Sequence, residues 1–439
     1  MKTVLTLFGA TRYWEGDTLQ SAAKRIEAAI GGFADETILA VNGDTPEVMP
    51  APEDICVIVP MSGAVQAALV AYARRFRRVI LFAGYVAGNF EEALCTDMLR
   101  LNAAPTTMDS WAVLKRDHPS VSLCTSVAAL ADKLEMLKVL PVADIAECAQ
   151  TNPGDRMDNP LPLGKLLLIG DIEPWVVSAS RDLSAYARVG IAVEPINADE
   201  LEALFHATST VDAAPLTAHF AGKADALVEP NQSDVETAAR LAAALEALIR
   251  GHNADGAAIA CFNLIPRLGT TSCLAVSHIN ESTPFIAACE GDLDSAVTML
   301  LLKRVTSQGV WMANPNLQPD GTINFTHCTA PLSVCGAACG FRLRNHHESG
   351  KGVSPEVYFP TGRRVTLCRF SAAENKMTVQ TGTSESGATE QSCRTQLRVR
   401  PDDFGRYIKT ALGCHQVIAF EDVGADMRAA GAAMGVEVL

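Results

Sequence analysis

The sequence predicts a mixed α/β protein: two α/β domains with parallel sheets, then a β-rich C-terminal domain of antiparallel, barrel-like character. Three observations point there. In the first part of the chain, short apolar runs bounded by Gly, Pro or charge alternate with helical spacing, the pattern of a parallel sheet flanked by helices. In the middle part the strand-like runs are apolar throughout, as strands buried on both faces must be. After about Phe341 helical spacing nearly disappears and strand-like runs follow one another across turns, which reads as a small antiparallel sheet or barrel.

The elements follow in order. Val4 to Phe8, Ile55 to Pro60 and Val79 to Ala83 read as strands, with Val65 to Phe76 as a helix between the last two. The N-terminal apolar stretch soon meets Arg12, Glu15 and Asp17, so it reads as a strand and not a signal peptide. Turn formers concentrate from Gln150 to Pro160, which places the first boundary there. A second unit opens at Gly164-Lys-Leu-Leu-Leu-Ile-Gly170, continues through Gly190-Ile-Ala-Val-Glu194 and crosses an alanine-rich helix from Val235 to Ile249. It then adds Ala257 to Ile265, Phe285 to Glu290 and Val310 to Ala313. No GxGxxG run follows Gly170-Asp171, which therefore reads as a strand-end turn. The last unit holds Glu356 to Phe359, Arg364 to Phe370, Met377 to Gly382, Thr395 to Arg400 and Gln416 to Phe420 as strands, and Gly424 to Met434 as a helix. The expected domains are residues 1–160, 161–340 and 341–439.

Composition narrows the function. At 439 residues the chain exceeds one ordinary core, and 48% hydrophobic with 20% charged residues describes a folded protein. The net charge is -14, from 36 basic and 50 acidic residues. The densest basic cluster, Arg74 to Arg78, falls at the end of an expected helix, where cations complement the helix dipole. Nucleic acid and anionic membranes are thus not expected as partners. No apolar run approaches membrane-spanning length. Thirteen scattered cysteines without CxxC spacing read as buried thiols of a reducing cytoplasm.

The residues that can carry chemistry sit at the ends of apolar runs, where open α/β sheets build their sites. Glu290 ends the run Phe285-Ile-Ala-Ala-Cys-Glu, where a buried carboxylate needs a metal or a cation. Asp292 stands where the next helix wants an N-cap, and capping is its expected role. Asn314 precedes Pro315 and reads either as a turn residue or as an oxygen ligand; it cannot act as a base. His327 is followed by Cys328, Cys335 and Cys339, but separations of seven and four residues between these cysteines do not match structural zinc spacing. His415 opens the last strand as Gly413-Cys-His-Gln, and on its own reads as an ordinary buried histidine. His346-His347-Glu348 reads as a solvated turn or a segment closing over a site. Glu290, Asn314, His327 and His415 around one ion would make an oxygen/nitrogen site suited to Mn²⁺ or another divalent metal. A metal with one carboxylate is the equipment for moving a proton next to a carbonyl.

The collinear order of these motifs resembles the L-fucose isomerase/L-arabinose isomerase superfamily. It runs Cys289-Glu-Gly-Asp292, a strand ending in Asn314, His327-Cys-Thr329, Gly350-Lys-Gly352 followed by Val365-Thr-Leu-Cys-Arg369, and Gly413-Cys-His-Gln416. Gly164 to Trp175 looks like the start of that family's second domain. The resemblance implies two Rossmann-like α/β domains plus a β-rich domain, and Mn²⁺-dependent aldose–ketose isomerisation of a small sugar through an ene-diol. It also implies homo-oligomers, trimers or hexamers, with active sites at subunit contacts. By position Glu290 matches the metal-binding, proton-transferring glutamate, His415 the C-terminal histidine ligand and His327 the extra histidine of the arabinose branch. Asn314 departs from the pattern: it occupies the second catalytic and ligand position, where those enzymes carry an acid. The alternative reading on the same fold is a sugar-binding protein without isomerisation, or a diverged enzyme.

Overall fold

The computed structural model describes residues 1–44, 49–118, 120–139, 163–306, 308–334 and 336–439. The expected boundary loop at 150–160 lies outside the described residues.

The first sheet is built from Thr3–Gly9 (β1), Glu36–Val41 (β2), Ile55–Pro60 (β3), Arg78–Phe82 (β4) and Val121–Cys124 (β5), all parallel, in the order β2-β1-β3-β4-β5. β1, β3 and β4 are buried along their whole length, as apolar runs covered on both faces must be. The strand order reverses at β1 and β3, so the crevice beyond their C-terminal ends is where such a sheet receives a ligand.

The second sheet is also parallel. Gly164–Ile169 (β6), Ile191–Ile196 (β7), Gly256–Ile259 (β9) and Ile286–Ala288 (β10) lie in the order β10-β9-β6-β7, while the short Ala226–Leu227 (β8) pairs elsewhere. The expected alanine-rich helix spans Gln232–Gly251, started by an Asn231 capping box. The run expected as one strand from Ala257 to Ile265 breaks after Ile259 into a 3₁₀ turn and a short helix, Ile265–Leu268, with Pro266 in its first turn.

Val310 to Ala313, expected as a further strand of this unit, belongs elsewhere. Trp311–Leu317 (β11) runs antiparallel between Ile323–His327 (β12) and Gln416–Ala419 (β20). Asn314 is therefore mid-strand, opposite Thr326, and not in a turn. Pro315 stands opposite Phe325 of β12, beyond the residues Trp311 to Ala313 that pair with β20. The chain continues through Ser333–Val334 (β13), which pairs antiparallel with Ala337–Ala338 (β14), then Gly340–Arg344 (β15) and Ser354–Tyr358 (β16). β15 and β16 form a small sheet with β8, so the strand expected at Glu356 to Phe359 stands outside the barrel.

Arg364–Ser371 (β17), Lys376–Glu385 (β18) and Thr395–Pro401 (β19) complete the antiparallel sheet with β11, β12 and β20. Because β17 pairs with both β20 and β18, the six strands close into a barrel and leave no free edge among themselves. Glu437–Val438 (β21) adds in parallel to the start of β18, after the C-terminal helix Gly424–Ala433. One continuous apolar core runs through all three units. Among the described residues no helix is long and apolar enough to cross a membrane.

Candidate metal centre

β10 delivers Glu290 through two successive left-handed residues, Glu290 at φ 58° and Gly291 at φ 64°. A non-glycine residue there costs about 1–3 kcal/mol, which marks the position as held by its surroundings. The Glu290 carbonyl accepts the Glu173 N–H at 3.1 Å, and the Gly291 N–H donates to Ile259 at 2.8 Å. A Cβ on Gly291 would lie 2.8 Å from Ile172 Cα, so the close backbone approach requires glycine.

The barrel supplies the other ligand types. His327 ends β12, and His415 immediately precedes β20. Their Nε2 atoms lie 3.8 and 3.4 Å from Glu290 Oε1. One donor atom from each of the three residues falls within 4.8 Å of the others, and this is the one such group among the described residues. Donors bound about 2.1 Å from a common ion stand roughly 3.0–3.5 Å apart, close to the observed spacing. Two buried atoms support the fit: Asn314 Oδ1 has no hydrogen-bond partner, and His415 Nε2 has none beyond its ion-pair approach to Glu290. Such orphans are expensive unless something binds them. Glu290, Asn314 and His327 line one cleft, and His415 meets the Glu290 carboxylate beside it.

Each candidate ligand is held from behind. His415 Nδ1 donates to Asp292 Oδ2 at 2.8 Å, and His327 Nδ1 lies 2.8 Å from Thr329 Oγ1. Such contacts fix the ring and its tautomer, leaving Nε2 for the ion. Trp175 Nε1 donates to Glu290 Oε2 at 2.7 Å. Burial pushes the Glu290 carboxyl up, but the adjacent His415 and His327 outweigh it and hold it well below the usual range. Asp292 behaves alike: Arg369 and His415 overcome its burial.

Asp292 does cap the following helix, accepting from the Ser295 N–H at 3.1 Å. It also receives Arg369 Nη1 at 2.8 Å, which the sequence reading missed. Arg369 is fully buried, and a Cβ on Gly413 would fall 2.2 Å from its Nε, so glycine beside His415 makes room for the guanidinium. Further site groups were missed or left open. Glu173, 3% exposed, accepts from the Phe262 N–H at 3.2 Å, and burial and then Glu290 push it up to about 7. Glu348 lines the cleft, receiving Asn102 Nδ2 at 2.7 Å and the Tyr13 hydroxyl at 3.3 Å. The turn holding it therefore lines the cleft.

No zinc arrangement around His327 forms among the described residues. Cys328 packs with Cys273 and Cys393, Cys339 is half-buried, and Cys335 lies outside the described residues. No protein-family model matches the chain, and no curated protein matches it.

Proposed function

We propose that the chain is a divalent-metal-dependent aldose–ketose isomerase, related to the L-fucose/L-arabinose isomerases and using Mn²⁺ or a similar ion. The observation that carries this reading is the convergence of Glu290, His327 and His415 beside a cleft that an unpartnered Asn314 Oδ1 also lines. Oxygen and imidazole donors suit Mn²⁺ and its neighbours. A bound divalent ion supplies polarisation of two adjacent oxygens of a hydroxy-carbonyl sugar.

The chain's own residues do the rest. Glu290 takes the proton from the sugar's α-carbon and returns it to the neighbouring carbon, with Trp175 fixing the carboxylate's rotation. His415 and His327 act as neutral ligands, oriented by Asp292 and Thr329. Asn314 offers a neutral oxygen, so the ion meets one negative charge fewer than an acid would give. The partners of this reading are a small sugar and further copies of the chain, as a trimer or hexamer in the cytoplasm.

Asn314 favours a second reading, sugar binding without turnover. Incubation with Mn²⁺ and a panel of aldopentoses and 6-deoxyaldohexoses in deuterated water separates the two. Isomerisation incorporates solvent deuterium at the α-carbon, and Glu290→Gln lowers turnover by about 10²–10⁴-fold. Intact turnover in that variant removes Glu290 as the base. Thermal stabilisation by sugar that chelator leaves unchanged favours binding alone.

A further inference from the structure

Aldose–ketose isomerisation moves two protons. One passes between carbons, the task given above to Glu290. The other must leave the hydroxyl at C2 and reach the oxygen at C1. An amide cannot carry it, so Asn314 is excluded. The two carboxylates that line the cleft on both sides are Glu290 and Glu348.

Glu348 is presented by a fixed turn. The His346 N–H donates to Lys351 and the Gly350 N–H to His346, each at 2.9 Å. The first unit grips the same turn through Asn102, Tyr13 and the Arg100 carbonyl, which lies 3.2 Å from His347 Nε2. Phe262 packs edge-on between His346 and Trp175, with ring centroids 5.7 and 5.0 Å away, so one aromatic wall joins the turn to the residue that holds Glu290. No cation reaches the Glu348 carboxylate within ion-pair distance among the described residues, so its partners are the neutral Asn102 and Tyr13. Burial first, with Glu290 adding to it, raises its affinity for a proton above the usual carboxylate range.

We propose that Glu348 is the second proton carrier of this site: it takes the C2 hydroxyl proton of the ene-diolate and delivers it to the C1 oxyanion while Glu290 moves the carbon-bound proton. Both carboxylates end as they began, and no oxidant or co-reactant is consumed. The inference rests on the isomerase reading and explains how Asn314 is compatible with turnover.

The test uses Glu348→Gln, which keeps an oxygen for Asn102 but cannot shuttle a proton. With Mn²⁺ and the sugar panel, deuterium exchange into the aldose α-carbon persists within about threefold, whereas ketose formation falls by about 10²-fold or more. Melting temperature and Mn²⁺ affinity stay at wild-type values. Glu348→Asp restores part of the ketose formation. Ketose formation within tenfold of wild type in Glu348→Gln overturns the proposal. So does parallel loss of exchange, melting temperature and Mn²⁺ affinity, which marks Glu348 as a tether between units. Absence of exchange in the wild-type protein with every sugar sinks the isomerase reading itself, a result distinct from either outcome in the variant.

Discussion

At the scale of single residues, the candidate site depends on the groups behind Glu290, His327 and His415 as much as on those three. Asp292 shows why. One oxygen does what its sequence position announces and caps a helix, while the other holds His415 Nδ1. The second duty is invisible in sequence because Arg369 and His415 lie 77 and 123 residues away. Asp292→Asn keeps an oxygen but loses the charge that fixes the imidazole tautomer. Mn²⁺ affinity is expected to weaken by about 10–100-fold, and Thr329→Val, which frees His327, to weaken it less. Competition titration against a fluorescent chelator reads both; wild-type affinity in Asp292→Asn would remove the orienting role.

At the scale of elements, three strand ends and one strand middle converge. Glu290 leaves a parallel sheet, whereas His327, His415 and Asn314 come from three adjacent barrel strands. Neighbouring strands run about 4.8 Å apart, which brings side chains distant in sequence within reach of one ion. The hinge of the arrangement is the turn at Gly291. Gly291→Ala places a Cβ against Ile172 and Asp171 at φ 64° and should destabilise the protein by about 1–3 kcal/mol. Glu290 moves with the turn, so Mn²⁺ affinity falls as well. Denaturant unfolding and metal titration measure the two effects, and an unchanged affinity would show that Glu290 is positioned independently of the turn. The strands of the first sheet absent from the sequence reading, β2 and β5, are its edge strands and of intermediate burial, where apolar patterning is weakest.

At the scale of the whole molecule, the cleft gathers carboxylates into a shared interior, and this links stability to pH. Burial, then Glu290, lifts Glu173 from 4.5 to about 7, and burial lifts Asp294 from 3.8 to about 7 with Asp292 opposing its charge. Between those limits the folded chain keeps protons that the unfolded chain releases. Stability of the metal-free protein should therefore fall as pH rises through this window, and Glu173→Gln should flatten part of the slope. Unfolding by denaturant at a series of pH values in chelator is the check; a slope unchanged by the substitution would place the titration elsewhere. The three units share one core and contribute jointly to the cleft, since Tyr13, Trp175, Glu290 and Glu348 all line it.

The sequence by itself determined the fold class and singled out the residues of the candidate site. Apolar periodicity reports burial on one or both faces, and Glu290, His327 and His415 stand at the ends of such runs. It could not assign β11 and β12 to the barrel, because an apolar run reveals that a strand is covered but not which strand pairs with it. Only the tertiary structure brought Asp292, Arg369, Trp175 and Glu348 to the site. Hydrogen bonding and charge act over a few ångströms of space, and across hundreds of residues of chain no local pattern records them.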